Sequence, residues 1–259
     1  MIRKIGINAD CIKTENLWEN LKTVKDAGFD CFFTLTYDDQ TICKVADTAK
    51  VLGLDYEFIH APWKDINDMW TSENDPGIFF EMENCIKIAK KYGIGGVIIH
   101  ASSGYHPPEV CDRGLCRYDR LVAFAKSLDI KIAFENLRKI GNLCCLIDRY
   151  EEEEHVGFCY DFGHAHCYME KDVPWMDLFG RKTLYTHIHD NFGKTGVENE
   201  DIHVLPFEGN IDYKRIMTKL DEYEYKGSIM LEVSDVNSQY KGKDLIYEAY
   251  KRAIKLINL

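Results

Sequence analysis

Six short apolar runs in this 259-residue sequence each end on a residue able to bind a metal or move a proton. YEFIH stops at His60, GGVIIH at His100, KIAFE at Glu135, GFCYD at Asp161, TLYTH at His187 and SIMLE at Glu232. Imidazole and carboxylate are the usual protein ligands of zinc and, as oxygen donors increase, of manganese or magnesium. A single histidine or glutamate at a strand end is ordinary hydrogen-bonded structure. Six of them are harder to explain that way, because ionisable groups buried without partners or a metal cost several kcal/mol each.

Two local patterns enlarge the set. In DFGH, Asp161 and His164 are separated by two residues, one a glycine, so both side chains can turn into one mouth as the chain leaves a strand. In EDIHVLPFEGNID, Asp201 and His203 lie two apart, and an extended loop projects them to one face. The candidate metal ligands are therefore His60, His100, Glu135, Asp161, His164, His187, Asp201, His203 and Glu232, with room for up to three ions. His166 and His189 are expected outside this set, as supporting or surface groups. Trp63 and Trp70, which follow His60, could form an apolar wall at the site or pack a loop.

Such residues need a frame that brings distant strand ends together. Strands are expected at residues 4–9, 30–36, 54–60, 95–101, 131–137, 156–162, 183–190 and 228–234, each an apolar run bounded by Gly, Asp or a polar turn. Helices are expected at 15–27, 41–53, 78–92, 107–129, 142–154, 173–179, 213–223 and 243–257, several stopped by glycine. Residues 192–210 read as a long polar loop, and the acidic run 151–154 as a solvated helix end. Eight strands alternating with eight helices predict a (β/α)8 TIM barrel, one domain over residues 1–259, with its active site at the carboxyl ends of the strands. An open doubly wound sheet would carry a Gly-rich phosphate loop after its first strand, and INADCIK has none.

The 43 acidic against 32 basic residues give a formal charge of −11, a field that repels phosphodiester backbones. The densest basic stretch, KIAKK at 87–91, falls within an expected amphipathic helix. The ten cysteines are scattered without CxxC spacing, as expected of a reduced cytoplasmic protein. MIRKIGINAD lacks the apolar core of a signal peptide, and no stretch approaches a membrane span.

FENL, YDFGHAH, THIHDN, DIHVLPFEGNID and LEV, in that order, resemble the xylose isomerase-like TIM-barrel superfamily. That superfamily includes sugar-phosphate isomerases and epimerases, ketose 3-epimerases, inosose dehydratases and the endonuclease IV group. The resemblance runs from His60 to Glu232 and marks the superfamily more sharply than any member. Its epimerase branch implies one divalent cation on Glu135, Asp161, His187 and Glu232, with Glu135 and Glu232 also the catalytic proton acceptor and donor. Manganese or zinc is the expected ion, with magnesium or cobalt also accommodated. Its endonuclease IV branch implies three zinc ions on all nine positions. ENLRKIG departs from the ENTAGQG of that branch, and the acidic composition supplies few DNA-binding groups. The expected function is thus a metal-dependent isomerase or epimerase of a sugar or sugar phosphate, abstracting a proton next to a metal-polarised carbonyl. A tri-zinc phosphodiesterase on abasic DNA and an inosose-type dehydratase are the alternatives. The expected partner is a small sugar or polyol, and with no phosphate cradle evident, a free sugar is favoured.

Overall fold

The computed structural model describes residues 3–13, 16–169, 173–196 and 200–259. Strand and helix alternate from β1 (Ile5–Asn8), α1 (Leu17–Ala27), β2 (Cys31–Thr34) and α2 (Asp39–Leu52) to β3 (Asp55–His60). Then come α3 (Asp68–Thr71), α4 (Gly77–Tyr92), β4 (Gly96–His100), α5 (Asp112–Ser127), β5 (Lys131–Glu135), α6 (Ile140–Arg149) and β6 (Val156–Asp161). The chain finishes with α7 (Phe162–Cys167), α8 (Trp175–Phe179), β7 (Thr183–His187), α9 (Tyr213–Glu222), β8 (Ile229–Leu231) and α10 (Lys243–Ile257).

Every paired strand is parallel, in the order β7-β6-β5-β4-β3-β2-β1-β8. The sheet closes just beyond β7, where Ile188 bridges Leu231: the Ile188 N–H donates to the Met230 carbonyl at 2.9 Å and the Glu232 N–H to that of Ile188 at 3.0 Å. The chain is the (β/α)8 barrel that its alternating pattern predicts. Parallel strands buried on both faces need apolar side chains inside and out. Inside, Cys31, Phe33, Phe58, Ile98, Ala133, Cys159 and Met230 fill the barrel, while Ile7, Phe32, Ile59, Val97, Ile99, Ile132, Phe134 and Phe158 pack outward under the helices. Gly53 and Gly93 stop α2 and α4 in the left-handed conformation (φ 63° and 71°), which glycine adopts without a side-chain clash.

Some boundaries differ from expectation. The expected helix at 107–129 begins only at Asp112, because Pro108 disfavours helical backbone at Pro107 and the segment stays extended up to Cys111. The helix expected at 142–154 spans Ile140–Arg149, leaving the acidic run in turns. The expected start of the first helix at residue 15 lies outside the described residues. Two short helices, α3 and α7, went unforeseen, and α7 reshapes the site. All ten cysteines are free, and among the described residues no helix is long and apolar enough to cross a membrane.

Candidate metal centre

Glu135, the last residue of β5, stands at the middle of the cluster. Its Oε2 lies 3.1 Å from His60 Nε2 and 2.9 Å from His100 Nε2, and its Oε1 lies 2.8 Å from His187 Nδ1. The pairing of the strands brings them together, since His100 is opposite Glu135 across β4 and β5 and Asp161 is opposite His187 across β6 and β7. Burial alone would raise the Glu135 carboxyl. The imidazoles of His187, His100 and His60 outweigh it and hold the group well below the usual carboxylate range. Below the cluster the barrel is apolar, with the Phe33 ring stacked on His187 at 4.8 Å.

Asparagines next to the strand ends hold this geometry. Asn136 forms a two-way link to the Asp161 backbone, donating to its carbonyl and accepting from its N–H, both at 2.8 Å. Asn8, at the end of β1, accepts the Val233 N–H at 2.9 Å and so fixes the chain just after Glu232. Asp161 then caps α7: its Oδ1 accepts the His164 N–H at 2.6 Å, while its buried Oδ2 has no hydrogen-bond partner. The DFGH segment is therefore a capped helical turn that swings His164 back over the mouth. The His164 Nδ1–H donates to the Asn136 carbonyl at 3.2 Å, which leaves Nε2 facing Asp201 at 3.2 Å.

The long loop after β7 delivers the remaining donors. Asp190 pairs with Val204 through the backbone, and its carboxylate accepts the N–H groups of Asn191 and Phe207 at 2.9 and 2.8 Å, pinning the loop across the mouth. His203 sits at φ 47°, a left-handed conformation uncommon outside glycine. Its Nδ1–H donates to the Glu232 carbonyl at 3.0 Å, and its Nε2 lies 3.3 Å from Asp201 Oδ1. Burial opposes charge on His203, yet Asp201 and Glu232 raise it to about 10. Burial likewise opposes charge on His164, which Asp161 and Asp201 carry well above its ordinary value.

The donor atoms fall into groups whose members all lie within 4.8 Å of one another: His60, His100 and Glu135; Glu135, Asp161, His187 and Glu232; Glu135, Cys159 and His187; and His164, His189, Asp201 and His203. All nine residues singled out in the sequence are in these groups. Two further residues join them, Cys159 and His189, neither of them in the set drawn from the sequence. His189 is fully buried, stacked on His203 at 3.8 Å, with Nε2 3.2 Å from Asp161 Oδ1. The signal was present in THIHD, where a spacing of two puts His187 and His189 on one face of an extended chain. His166 instead pairs with Asn210 at 2.6 Å, away from the cluster. Trp63 stands 43% exposed at the mouth, edge-on to His60 at 5.0 Å. Trp70 is not a pocket wall: it is buried against Tyr118, its indole N–H donating to the Ala101 carbonyl at 2.7 Å.

The chemistry of this constellation fits a divalent cation. His100 Nδ1, Asp161 Oδ2, His187 Nε2, both nitrogens of His189 and Asp201 Oδ1 are buried without an aligned hydrogen bond, several of them close to opposite charge. Atoms that crowd together without pointing at one another are arranged around shared centres, and buried polar groups left so need an ion or water. At His60, His164 and His203 the Nδ1–H is committed to a backbone carbonyl, the arrangement that fixes a ligating histidine with Nε2 toward the metal. The donors open into a cavity of about 470 Å³, also lined by Asp10, Trp63, Arg138, Tyr168 and Asn237. Asp10 was not singled out from the sequence. Burial, with Glu232 nearby, raises its carboxyl to about 6.

A family profile described as xylose isomerase-like TIM barrel matches residues 21–256. An uncharacterised protein of Methanocaldococcus jannaschii is 22% identical over 278 residues, covering 95% of this chain and 88% of its own. Among solved structures, the apo form of 3-keto-D-glucoside 4-epimerase from E. coli is similar with a TM-score of 0.75 at 18% identity, over all of both chains. The IOLI protein, solved with a zinc atom, is similar with a TM-score of 0.76 at 17% identity, over 98% of each chain.

Proposed function

The chain belongs to the xylose isomerase-like TIM barrel family, and from that premise we propose that it is a divalent-metal-dependent isomerase or epimerase of a sugar. The observation that carries this reading is the convergence of Glu135, Asp161, His187 and Glu232 within 4.8 Å at one end of the barrel. The resemblance to a keto-glucoside epimerase and to a zinc-bound relative supports it.

A bound cation would polarise a substrate carbonyl and acidify the carbon beside it. The residues that would hold it are Glu135, Asp161, His187 and Glu232. Glu135, kept ionised by its imidazole neighbours, is ready to accept a proton at neutral pH. Glu232, with Oε2 3.3 Å from His187 Nδ1, lines the same cavity and supplies the second carboxylate. One glutamate removes the proton next to the carbonyl and the other, or solvent, returns one; its destination decides between epimerisation and aldose–ketose isomerisation. Trp63 stands at the mouth beside His60, where its ring could meet a substrate face.

Turnover of a ketose panel by Glu135→Gln and Glu232→Gln tests this directly. Each substitution is expected to lower kcat by about 10²–10⁴-fold, the usual contribution of a positioned acid or base. Full activity in either variant would eliminate the two-glutamate mechanism.

One observation favours a second reading, a tri-zinc phosphodiesterase acting on abasic DNA. His164, His189, Asp201 and His203 form a further donor group beyond the four-residue set. Cleavage of an abasic duplex by zinc-loaded protein, abolished by His100→Ala, would put that reading first. Loss of water from a cyclic keto-polyol in the same assays would identify a dehydratase instead.

A further inference from the structure

Arg138 is three residues beyond Glu135 and, among the described residues, is the only lysine or arginine lining the metal-centre cavity. Its guanidinium carbon lies 3.6 Å from the ring centre of Tyr168 and 4.4 Å from that of Tyr105. Among the described residues it has no hydrogen-bond or salt-bridge partner; its interactions are these two rings. Other arginines differ. Arg117 donates to four backbone carbonyls and Asp75, Arg149 grips Asp119, and Arg252 holds Glu248 and the Pro206 carbonyl. The adjacent Lys139 is also committed, to Glu109 and the Pro107 carbonyl.

A guanidinium carries five N–H donors around its edge and none on its faces. Stacking against tyrosines fixes the plane and leaves that edge to donate to water or to a ligand in the cavity. Tyr168 ties Arg138 to the centre, because the same ring stacks on His164 at 4.7 Å and its hydroxyl donates to Asp201 at 2.7 Å. The guanidinium thus lies one aromatic ring beyond His164 and lines the same cavity as Glu135 and Glu232.

We propose that Arg138 receives an oxyanion, a phosphate ester or carboxylate, on the substrate end remote from the metal centre, so that the substrate is an anionic sugar. This rests on the sugar-enzyme reading above and replaces the free sugar favoured from sequence. The signal was invisible there because the two tyrosines come from separate loops.

Calorimetric binding to metal-loaded protein of sorbitol 6-phosphate, gluconate and sorbitol, none of which can undergo the reaction, tests the assignment apart from turnover. One anionic probe is expected to bind more tightly than sorbitol, and its identity names phosphate or carboxylate. Arg138→Met is expected to weaken that probe by roughly 10- to 100-fold while leaving sorbitol and metal content unchanged, with Arg138→Lys intermediate because a point charge lacks the fork. Equal binding of all three probes, no binding, or equal loss for sorbitol and the anion in both variants would overturn the proposal. Arg138-dependent anion binding by a protein that turns over no sugar would sink the enzymatic reading and leave this assignment standing. Turnover of neutral ketoses with no Arg138-dependent anion preference would do the reverse.

Discussion

The larger cavity of this barrel is at the N-terminal ends of the strands, about 1080 Å³ against about 470 Å³ at the metal centre, yet several of the polar groups around it are satisfied by one another. Arg3 meets Asp221 at 2.7 Å, Lys4 meets Asp55 at 2.5 Å, and Ser228 donates to Glu57 at 2.6 Å. At the opposite end the donors are buried, misaligned and dense, with six imidazoles and four carboxylates sharing the groups around Glu135 and Asp201. The contrast teaches that size does not locate chemistry in a barrel; unmet bonding does. Stability also divides along this axis. Exposed ion pairs at the bottom contribute little, whereas the top is held in an arrangement that only a ligand completes.

The strongest challenge to this contrast is to remove donors from the upper end. If the His164–His203 group holds an ion, as the tri-zinc reading requires, His189→Ala or Asp201→Asn is expected to remove it while the groups around Glu135 keep theirs, so stoichiometry falls without reaching zero. Elemental analysis after loading reads this out. Unchanged stoichiometry would reduce the third group to hydrogen-bonded structure.

pH separates the two ends next. His203 has a folded-state value of about 10, above its ordinary 6.5, so its pairing with Asp201 stabilises the metal-free protein fully below about pH 6.5 and is lost as pH rises toward 10. Metal uptake runs the other way, since ligand imidazoles must shed protons. Its apparent affinity should rise about tenfold per pH unit for each proton displaced between about pH 6 and 8. Chelator competition and thermal melts of the metal-free protein check both slopes; pH-independent affinity would mean that these imidazoles are not the ligands.

A smaller effect is expected at Gly163, where a Cβ would run into the His189 ring. Gly163→Ala should cost about 1–3 kcal/mol by overpacking and weaken zinc binding at the third group, measured by denaturant melts and metal titration. At the lower end, Lys4→Ala should change stability by no more than about 0.5 kcal/mol and leave metal content untouched. A large loss of metal from Lys4→Ala would break the comparison.

Much of this was readable in the residues because strand ends are set locally: an apolar run stops where a ligand begins, so Glu135, Asp161, His187 and Glu232 could be marked without tertiary information. Asp201 and His203 were also legible by spacing. For His189 burial excludes the surface alternative, and the two-residue alternation that links it to His187 is the signal that places it beside the cluster. For Trp70 a wall at the site and loop packing were both open, and the structure selects packing, since the Ala101 carbonyl that receives its N–H is distant in sequence. The turn of α7, the asparagine links at Asn8 and Asn136, and the Arg138 stack all depend on partners from separate segments, which spacing along one segment does not encode.

The central claim is that side chains from β3 to β8 and the loop after β7 hold a divalent cation. Elemental analysis of wild type and Glu135→Ala, each stripped, reloaded with manganese or zinc and desalted, tests it most directly. The account predicts at least one tightly held ion per wild-type chain and its loss in Glu135→Ala, whereas metal-free wild type, or equal metal in both proteins, would contradict it.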